Sequence, residues 1–208
     1  CRKTNITRMK TNPIRFRPAS SDDLPRIMEI IRQAQRRMAA AGSDQWQDGY
    51  PVPENIVSDL AHGYGLVACR GQEVPDREAE TAIHPERGSA NAAQRAADPH
   101  EVIAYGAVVF DGEPAYEALE GGQWLSEGPY VVVHRLAVAD EALGEGVGTR
   151  FLREVERMAR QRGIGSFRVD TNFDNHRMLR ILAREGFTRC GTVRYRSGER
   201  EAFEKRLS

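Results

Sequence analysis

The sequence predicts an α/β protein in which helices flank a mixed central sheet. Three observations carry that expectation. Short runs that alternate apolar and charged residues, or are apolar throughout, recur along the chain and read as strands. Between them lie segments whose apolar residues fall at helical spacing. The two kinds interleave in the order β-α-α-β-β-(α)-β-α-β-α-β-β, with no internal repeat.

The opening residues 1–13, "CRKTNITRMKTNP", have no apolar h-region and are expected to be a disordered leader or an expression remnant. From Ile14 onward a single domain is expected, since 208 residues support one proper core and not two comfortable ones. "IRFR" alternates like a half-buried strand, and "PASSDD" supplies turn and N-cap chemistry. Leu24, Ile27, Met28, Ile31, Ala34 and Met38 then form one helical stripe. "SDQWQDGYP" is a loop carrying Trp46 and Tyr50, followed by a short helix over Glu54–Ala61 and the strand "YGLVACR".

Residues 71–100 are poor in large apolar side chains and show no periodicity, which predicts a flexible insertion between two paired strands. "EVIAYGAVVF" resumes the sheet, and "GEPAYEALEGGQW" predicts a short helix and a loop presenting Trp124. "YVVVHRLAV" is nearly continuous in apolar residues, as a strand buried on both faces is. Beyond a glycine-rich loop, Val147, Phe151, Leu152, Val155, Met158 and Ala159 share a helical face that Gly163 closes. "SFRVDT" is a strand, and "DNHRMLRILAREGF" a helix with an Asp N-cap candidate, with Met178, Leu179 and Leu182 inward and Gly186 as its stop. "TRCGTVRY" and "REAFEKRL" read as two strands about a Ser-Gly turn.

Composition narrows the function classes. Thirty basic and thirty acidic side chains cancel, so no global field favours nucleic acid or an anionic membrane. The basic face made by Arg32, Arg36 and Arg37 is read as solvated charge. No apolar run approaches the roughly 20 residues that span a bilayer. Cys1, Cys69 and Cys190 are odd in number and widely spaced. A reduced, cytoplasmic chain follows as the expectation, with neither a disulfide framework nor a zinc site.

The loop Gly144-x-Gly146-x-Gly148 between a buried strand and an amphipathic helix has the layout of an anion site. Glycines admit close backbone approach, and the helix start points unpaired N–H groups outward. The same glycines also serve a tight turn that holds nothing. No Lys-Ser/Thr follows them, so a nucleotide P-loop is excluded, and G-x-G-x-G late in the chain does not fit a dinucleotide fingerprint.

"HRLAVADEALGEGVGTRFLREVERMA" followed by "RVDTNFDNHRMLRILAREGF" resembles the core of the GNAT superfamily of acetyl-CoA-dependent N-acetyltransferases. Gly146 and Gly148 match the glycines of its Q/R-x-x-G-x-G/A segment, with Leu143 at the Gln/Arg position. Asn175, Gly186 and Phe187 match its second signature. "SDQWQDGYP", "GEPAYEALEGGQW" and "GEREAFEK" extend the likeness to a bacterial subgroup of unassigned acceptor. The resemblance implies a GNAT-like sheet splayed between its central strands, acetyl-CoA as co-substrate, no metal, and a small-molecule or peptide amine acceptor, with a homodimer as one possible assembly. It implies that main-chain groups of Leu136, Ala137 and Val138 hold the pantetheine arm and carbonyl, joined by Asn175. The N–H groups of Leu143, Gly144, Glu145, Gly146, Val147, Gly148 and Thr149 would take the pyrophosphate.

For the chemistry, His134 is the first candidate for the base, either catalytic or a core histidine. It stands two residues before Leu136 and is expected on the same face, with Arg135 on the opposite one and Asp170 as the arginine's partner. Many family members carry a tyrosine near the CoA sulfur where this chain has Leu182, so the general acid is open; Tyr195, Tyr130 or water are the substitutes. Trp46, Tyr50, Tyr116 and Trp124 either wall an acceptor pocket or plug core edges. The functional alternatives are a non-catalytic acyl-CoA-binding module and a structural α/β domain whose glycine loop is only a turn.

Overall fold

The computed structural model describes residues 13–71 and 101–207. The leader expected over residues 1–13 falls outside them except for Pro13, and the insertion expected over 71–100 falls outside except for Gly71. Seven strands and four α-helices follow in the expected order: β1 (Ile14–Pro18), α1 (Leu24–Ala40), α2 (Pro53–Ala61), β2 (Gly65–Arg70), β3 (Glu101–Val109), β4 (Val131–Val138), α3 (Val147–Gln161), β5 (Ser166–Thr171), α4 (His176–Arg184), β6 (Thr188–Tyr195) and β7 (Gly198–Arg206). The expected short helix after β3 is a 3-10 turn over Pro114–Ala118.

One sheet in the order β1-β2-β3-β4-β5-β7-β6 organises the chain. β2 and β3, which flank residues 72–100, pair antiparallel from Gly65↔Ala107 to Arg70↔Glu101. The central pair β4–β5 is parallel, and its register covers Val131↔Phe167 and Val132↔Arg168. β4 runs six residues beyond that second pair, so the two strands part and open a cleft between them.

Alternation along β3 sets the layers. Gly106 faces α3: a Cβ there would come within 2.9 Å of the Phe151 ring, so the missing side chain is what lets Phe151 lie against the sheet. Tyr105, the preceding residue, faces the other way and donates its hydroxyl to Asp59 of α2 at 2.7 Å. Helix α1 begins where Asp23 accepts the Ser20 N–H at 2.8 Å and clasps the Arg17 guanidinium. It buries Ile27, Met28, Ile30, Ile31 and Ala34. Helix α3 buries Val147, Phe151, Leu152, Val155 and Ala159. Each such large side chain is worth about 1.5–3 kcal/mol when fully buried, and the stripes dock their helices onto the sheet.

Helix α4 is capped by Asn175, whose side chain accepts the Met178 N–H at 3.1 Å; the expected Asp cap, Asp174, instead bonds the Ser43 hydroxyl. Leu182 is fully buried, while Met178 and Leu179 pack on the core from its edge.

A second apolar cluster lies under the loop before β4. Tyr116, Val132, Val193 and Ala202 are its buried members, with Trp124, Tyr130 and Tyr195 packed around them. The Arg168 guanidinium sits 4.2 Å from the Trp124 ring and 4.0 Å from the Tyr130 ring. Fully buried Glu204 ties this loop to the sheet, accepting the Ser166 hydroxyl at 2.6 Å, the Ser126 hydroxyl and the Leu125 N–H. Burial would raise the Glu204 pKa, but these donors outweigh it and hold the carboxyl below its ordinary value.

Candidate active site

The cleft between β4 and β5 is shaped by a bulge. On β3, Tyr105 and Ala107 are two residues apart, yet their partners on β4 are Ala137 and His134, three apart. The extra residue is accommodated at Arg135, which adopts φ +56°. A non-glycine residue in that region is strained, so packing and ion pairs must hold it there.

The bulge overturns the expected facing of β4. His134 and Leu136 were expected to share a face, and Arg135 to oppose them. Instead Leu136 falls opposite Gly106, on the α3 side, while His134 keeps the register of Ala107 on the α2 side. Arg135 also reaches the α2 side. Its Nε donates to Asp59 Oδ2 at 2.8 Å, a second nitrogen contacts Asp59 Oδ1, and Nη1 donates to the Tyr50 hydroxyl at 2.5 Å. The expected partner, Asp170, is therefore replaced by Asp59, which alternation along β4 gave no means to find. Burial alone would lower the Arg135 pKa; Tyr50 and Asp59 reverse that and raise it, so the guanidinium stays charged.

His134 meets Glu113, whose Oε2 lies 2.9 Å from Nε2. Nε2 forms no aligned hydrogen bond, although it lies in contact with the carboxylate. Glu113 sits at the start of the 3-10 turn, where its Oε1 accepts the Ala115 N–H at 3.1 Å. Burial would raise the Glu113 pKa, but His134, the Ala115 N–H and the charge of Arg135 hold it below its ordinary value. One carboxylate thus feels both side chains of the bulge.

Across the cleft, Asp170 of β5 accepts the Tyr116 hydroxyl at 2.7 Å and the Tyr195 hydroxyl at 3.1 Å, both on Oδ1. Burial, reinforced by Asp170 and Glu113, pushes the Tyr195 pKa upward, and burial does the same to Tyr116. Of the expected pocket aromatics, Tyr50 belongs to the site through Arg135. Tyr116 is 2% exposed and stacks in the second cluster with only its hydroxyl turned to Asp170. Trp124 donates Nε1 to the Tyr116 carbonyl and plugs the same cluster, and Trp46 packs against the main core. For Tyr116 and Trp124, core filling wins over a role as pocket wall.

Beyond Val138 the chain enters the glycine loop. Gly144 and Gly146 have φ +85° and +75°, and the space where a Cβ would point is open at both. Gly146 is the N-cap of α3, and its carbonyl accepts the Arg150 N–H at 3.0 Å. The first N–H groups of a helix have no intrahelical acceptor, so those following Gly146 face outward as donors. Gly148 lies inside α3, where a Cβ would meet Ile181 at 3.6 Å. Leu143 closes the preceding turn on Asp140, Val147 is buried, and the Thr149 hydroxyl accepts from Arg184 at 2.6 Å. Three carboxylates surround the loop, and each is clamped by an arginine: Asp140 by Arg37, Glu141 by Arg26, and Glu145 by Arg70 at 2.7 Å. Asn175 bonds Gln45 at 3.0 Å as well as capping α4. The loop therefore fits a pyrophosphate held by main-chain donors, with its own acids neutralised.

Asp59 and Glu113 are the site residues that sequence reasoning missed. Both partners are distant in sequence, at 76 residues for Asp59 and Arg135. A glutamate just before the proline of a turn was the one available signal for Glu113. Among the described residues, no group of His, Cys, Asp and Glu is arranged to hold a metal ion. No helix among them is long and apolar enough to cross a membrane.

Comparison with known proteins accords with this geometry. No curated protein sequence matches the chain. Among solved structures, a GNAT-family acetyltransferase from Streptococcus agalactiae 2603 is 28% identical with a TM-score of 0.73, covering 94% of this chain and 96% of that one. A GNAT-family acetyltransferase from Listeria monocytogenes 4b F2365 shares the fold at 16% identity and a TM-score of 0.64, covering 93% and 95%. So does yncA of Salmonella typhimurium, solved with its cofactor acetyl-CoA, at 17% identity and a TM-score of 0.55, covering 94% and 95%. The model of the acetyltransferase (GNAT) family matches residues 58–187, more than half of the sequence. The chain belongs to the GNAT family of acetyltransferases.

Proposed function

We propose that this acyltransferase moves an acetyl group from acetyl-CoA to a primary amine by direct attack in a ternary complex. The observation that carries the reading is the bulge at Arg135. It turns His134 and Arg135 to one side of the sheet, while the rest of β4 runs past β5 into a main-chain anion cradle. One end of the cleft suits a phosphate-bearing donor and the other a proton-accepting side chain.

Acetyl-CoA supplies the thioester when bound. The N–H groups from Gly144 to Thr149 hold its pyrophosphate, the Leu143 N–H being donated to the Asp140 carbonyl, and β4 from Leu136 to Val138 lines the arm. The amine nitrogen forms the amide bond as the carbon–sulfur bond breaks, and the nitrogen's proton passes to His134. With Nε2 turned to Glu113, Nδ1 is the ring nitrogen that takes it. Glu113 then balances the imidazolium. The sulfur leaves as thiolate. A phenol raised above its ordinary value of about 10 would protonate a thiolate of ordinary value about 8.5 only uphill, so Tyr195 serves better as a fixed donor to Asp170 than as the acid.

Release of free thiol from acetyl-CoA, followed with a panel of polyamines, aminoglycosides, amino acids and peptide N-termini, tests the reading. Thiol release that depends on one of these amines is the expected result. Acetyl-CoA that raises the melting temperature without any amine-dependent release would assign a binding module instead.

A further inference from the structure

Among the described residues Asp170 has no partner of opposite charge, and its position says what would complement it. The parallel register Val132↔Arg168 carried two residues onward sets His134 and Asp170 level across the cleft. They also share a face. Arg168 and Asp170 contact the aromatic cluster that holds Val132, and His134 alternates with Val132 on β4.

The other carboxylates on this face each meet a basic side chain. Arg135 meets Asp59, and His134 meets Glu113. Asp170 meets two phenol hydroxyls, which are donors without charge, and both fall on Oδ1, leaving Oδ2 for another donor. Among the described residues, no Lys, Arg or His forms an ion pair with it.

A second, independent feature lies two residues on. Asn172 is 5% exposed, and its Oδ1 is buried with no hydrogen-bond partner. Asn172 follows β5 directly, one residue past its last member, Thr171. A buried acceptor left unsatisfied costs about 1–3 kcal/mol, so its place there calls for a donor. The end of β5 thus carries a carboxylate and, two residues on, an amide oxygen that lacks a donor. A primary ammonium, with three N–H donors and a positive charge, complements both.

The nitrogen that attacks the thioester must be neutral when it reacts, so it cannot also be the countercharge of Asp170. We propose that the acceptor carries a second, non-reacting ammonium which Asp170 and Asn172 hold, making its class an aliphatic diamine or polyamine. This deepens the proposed acetyl transfer and rests on it for the reaction, though not for the binding. His134 takes the proton of the near nitrogen, and Asp170 fixes the far one, so the chain lies across the cleft at the level of both strands.

The test compares putrescine with n-butylamine, which lacks the second nitrogen, on the full chain. The kcat/KM for putrescine is expected to exceed that for n-butylamine by roughly ten- to hundredfold, the worth of a charged hydrogen bond. Calorimetry in the presence of CoA is expected to give the same order of affinities. Asp170→Asn brings the two acceptors close together, and Asn172→Ala narrows the gap by a smaller factor. Equal kcat/KM and equal affinity for the two amines in the unmodified protein overturn the inference while leaving acetyl transfer standing. Putrescine binding that needs Asp170, without turnover of any amine, overturns the transfer reading and upholds the inference. A preference that survives Asp170→Asn in a folded variant also overturns it. Should that variant not fold, the wild-type ratio and Asn172→Ala decide alone.

Discussion

The two ends of the β4–β5 cleft are built from different materials. At the glycine-loop end, which we propose as the cradle, the groups turned outward are backbone N–H donors, set by the positive φ of Gly144 and Gly146 and the start of α3. Side chains there act at one remove, as Arg26, Arg37 and Arg70 hold the loop's carboxylates aside. At the other end, proposed for the acceptor, side chains are brought together from α2, the 3-10 turn, β4, β5 and β6. They are half-buried or buried and paired with one another, and a strained residue holds them in register. Backbone donors suit a co-substrate whose phosphates do not vary, whereas a cluster of side chains suits an acceptor that differs from one enzyme to the next.

That difference predicts unequal sensitivity to mutation. Arg135→Ala is expected to do the most damage, since it strands the buried Asp59 carboxylate with Tyr105 as its remaining partner. Breaking such a pair from one side costs about 3–5 kcal/mol. Thermal melting should fall by on the order of 10 °C for a chain of this size. An Arg135→Ala variant melting like the parent would mean that the acceptor end is as loosely held as the exposed ion pairs around the cradle.

Gly146→Ala has a smaller expected effect, confined to the cradle. A side chain there meets open space, so the cost is the left-handed backbone, about 1–2 kcal/mol. If the strain is relieved by turning the N–H groups away, the acetyl-CoA Kd rises roughly tenfold while kcat at saturation stays close to the parent's. A fall in kcat with unchanged Kd would erase the distinction between the two ends.

The backbone layout of the glycine loop was legible in the sequence because everything it needs is local. A buried strand, alternating glycines and an amphipathic helix follow one another within His134–Arg150, and backbone chemistry does not depend on a distant partner. Strand and helix positions were legible for the same reason, and the expected interleaving matches the observed order. The acceptor end was half legible. His134 stood out as a titratable group in an apolar strand, but its facing relative to Leu136 and Arg135 assumed unbroken alternation. The bulge that breaks it is a tertiary feature, maintained by Asp59 and Tyr50 from the segment around α2. Glu113 and Asp59 read locally as a turn residue and a helix residue. Their roles come from contacts 21 and 76 residues away, which no periodicity records. Tyr116 and Trp124 show the converse: aromatic residues in a loop whose rings are needed by the core.

The most direct test of the division between the two ends is His134→Ala, assayed for turnover and acetyl-CoA affinity on the same preparation. Loss of a positioned base predicts kcat lower by roughly 10²- to 10⁴-fold, with the acetyl-CoA Kd within about twofold of the parent's. Turnover that persists while melting temperature falls would contradict the account and make His134 a core histidine whose pairing with Glu113 serves only the fold.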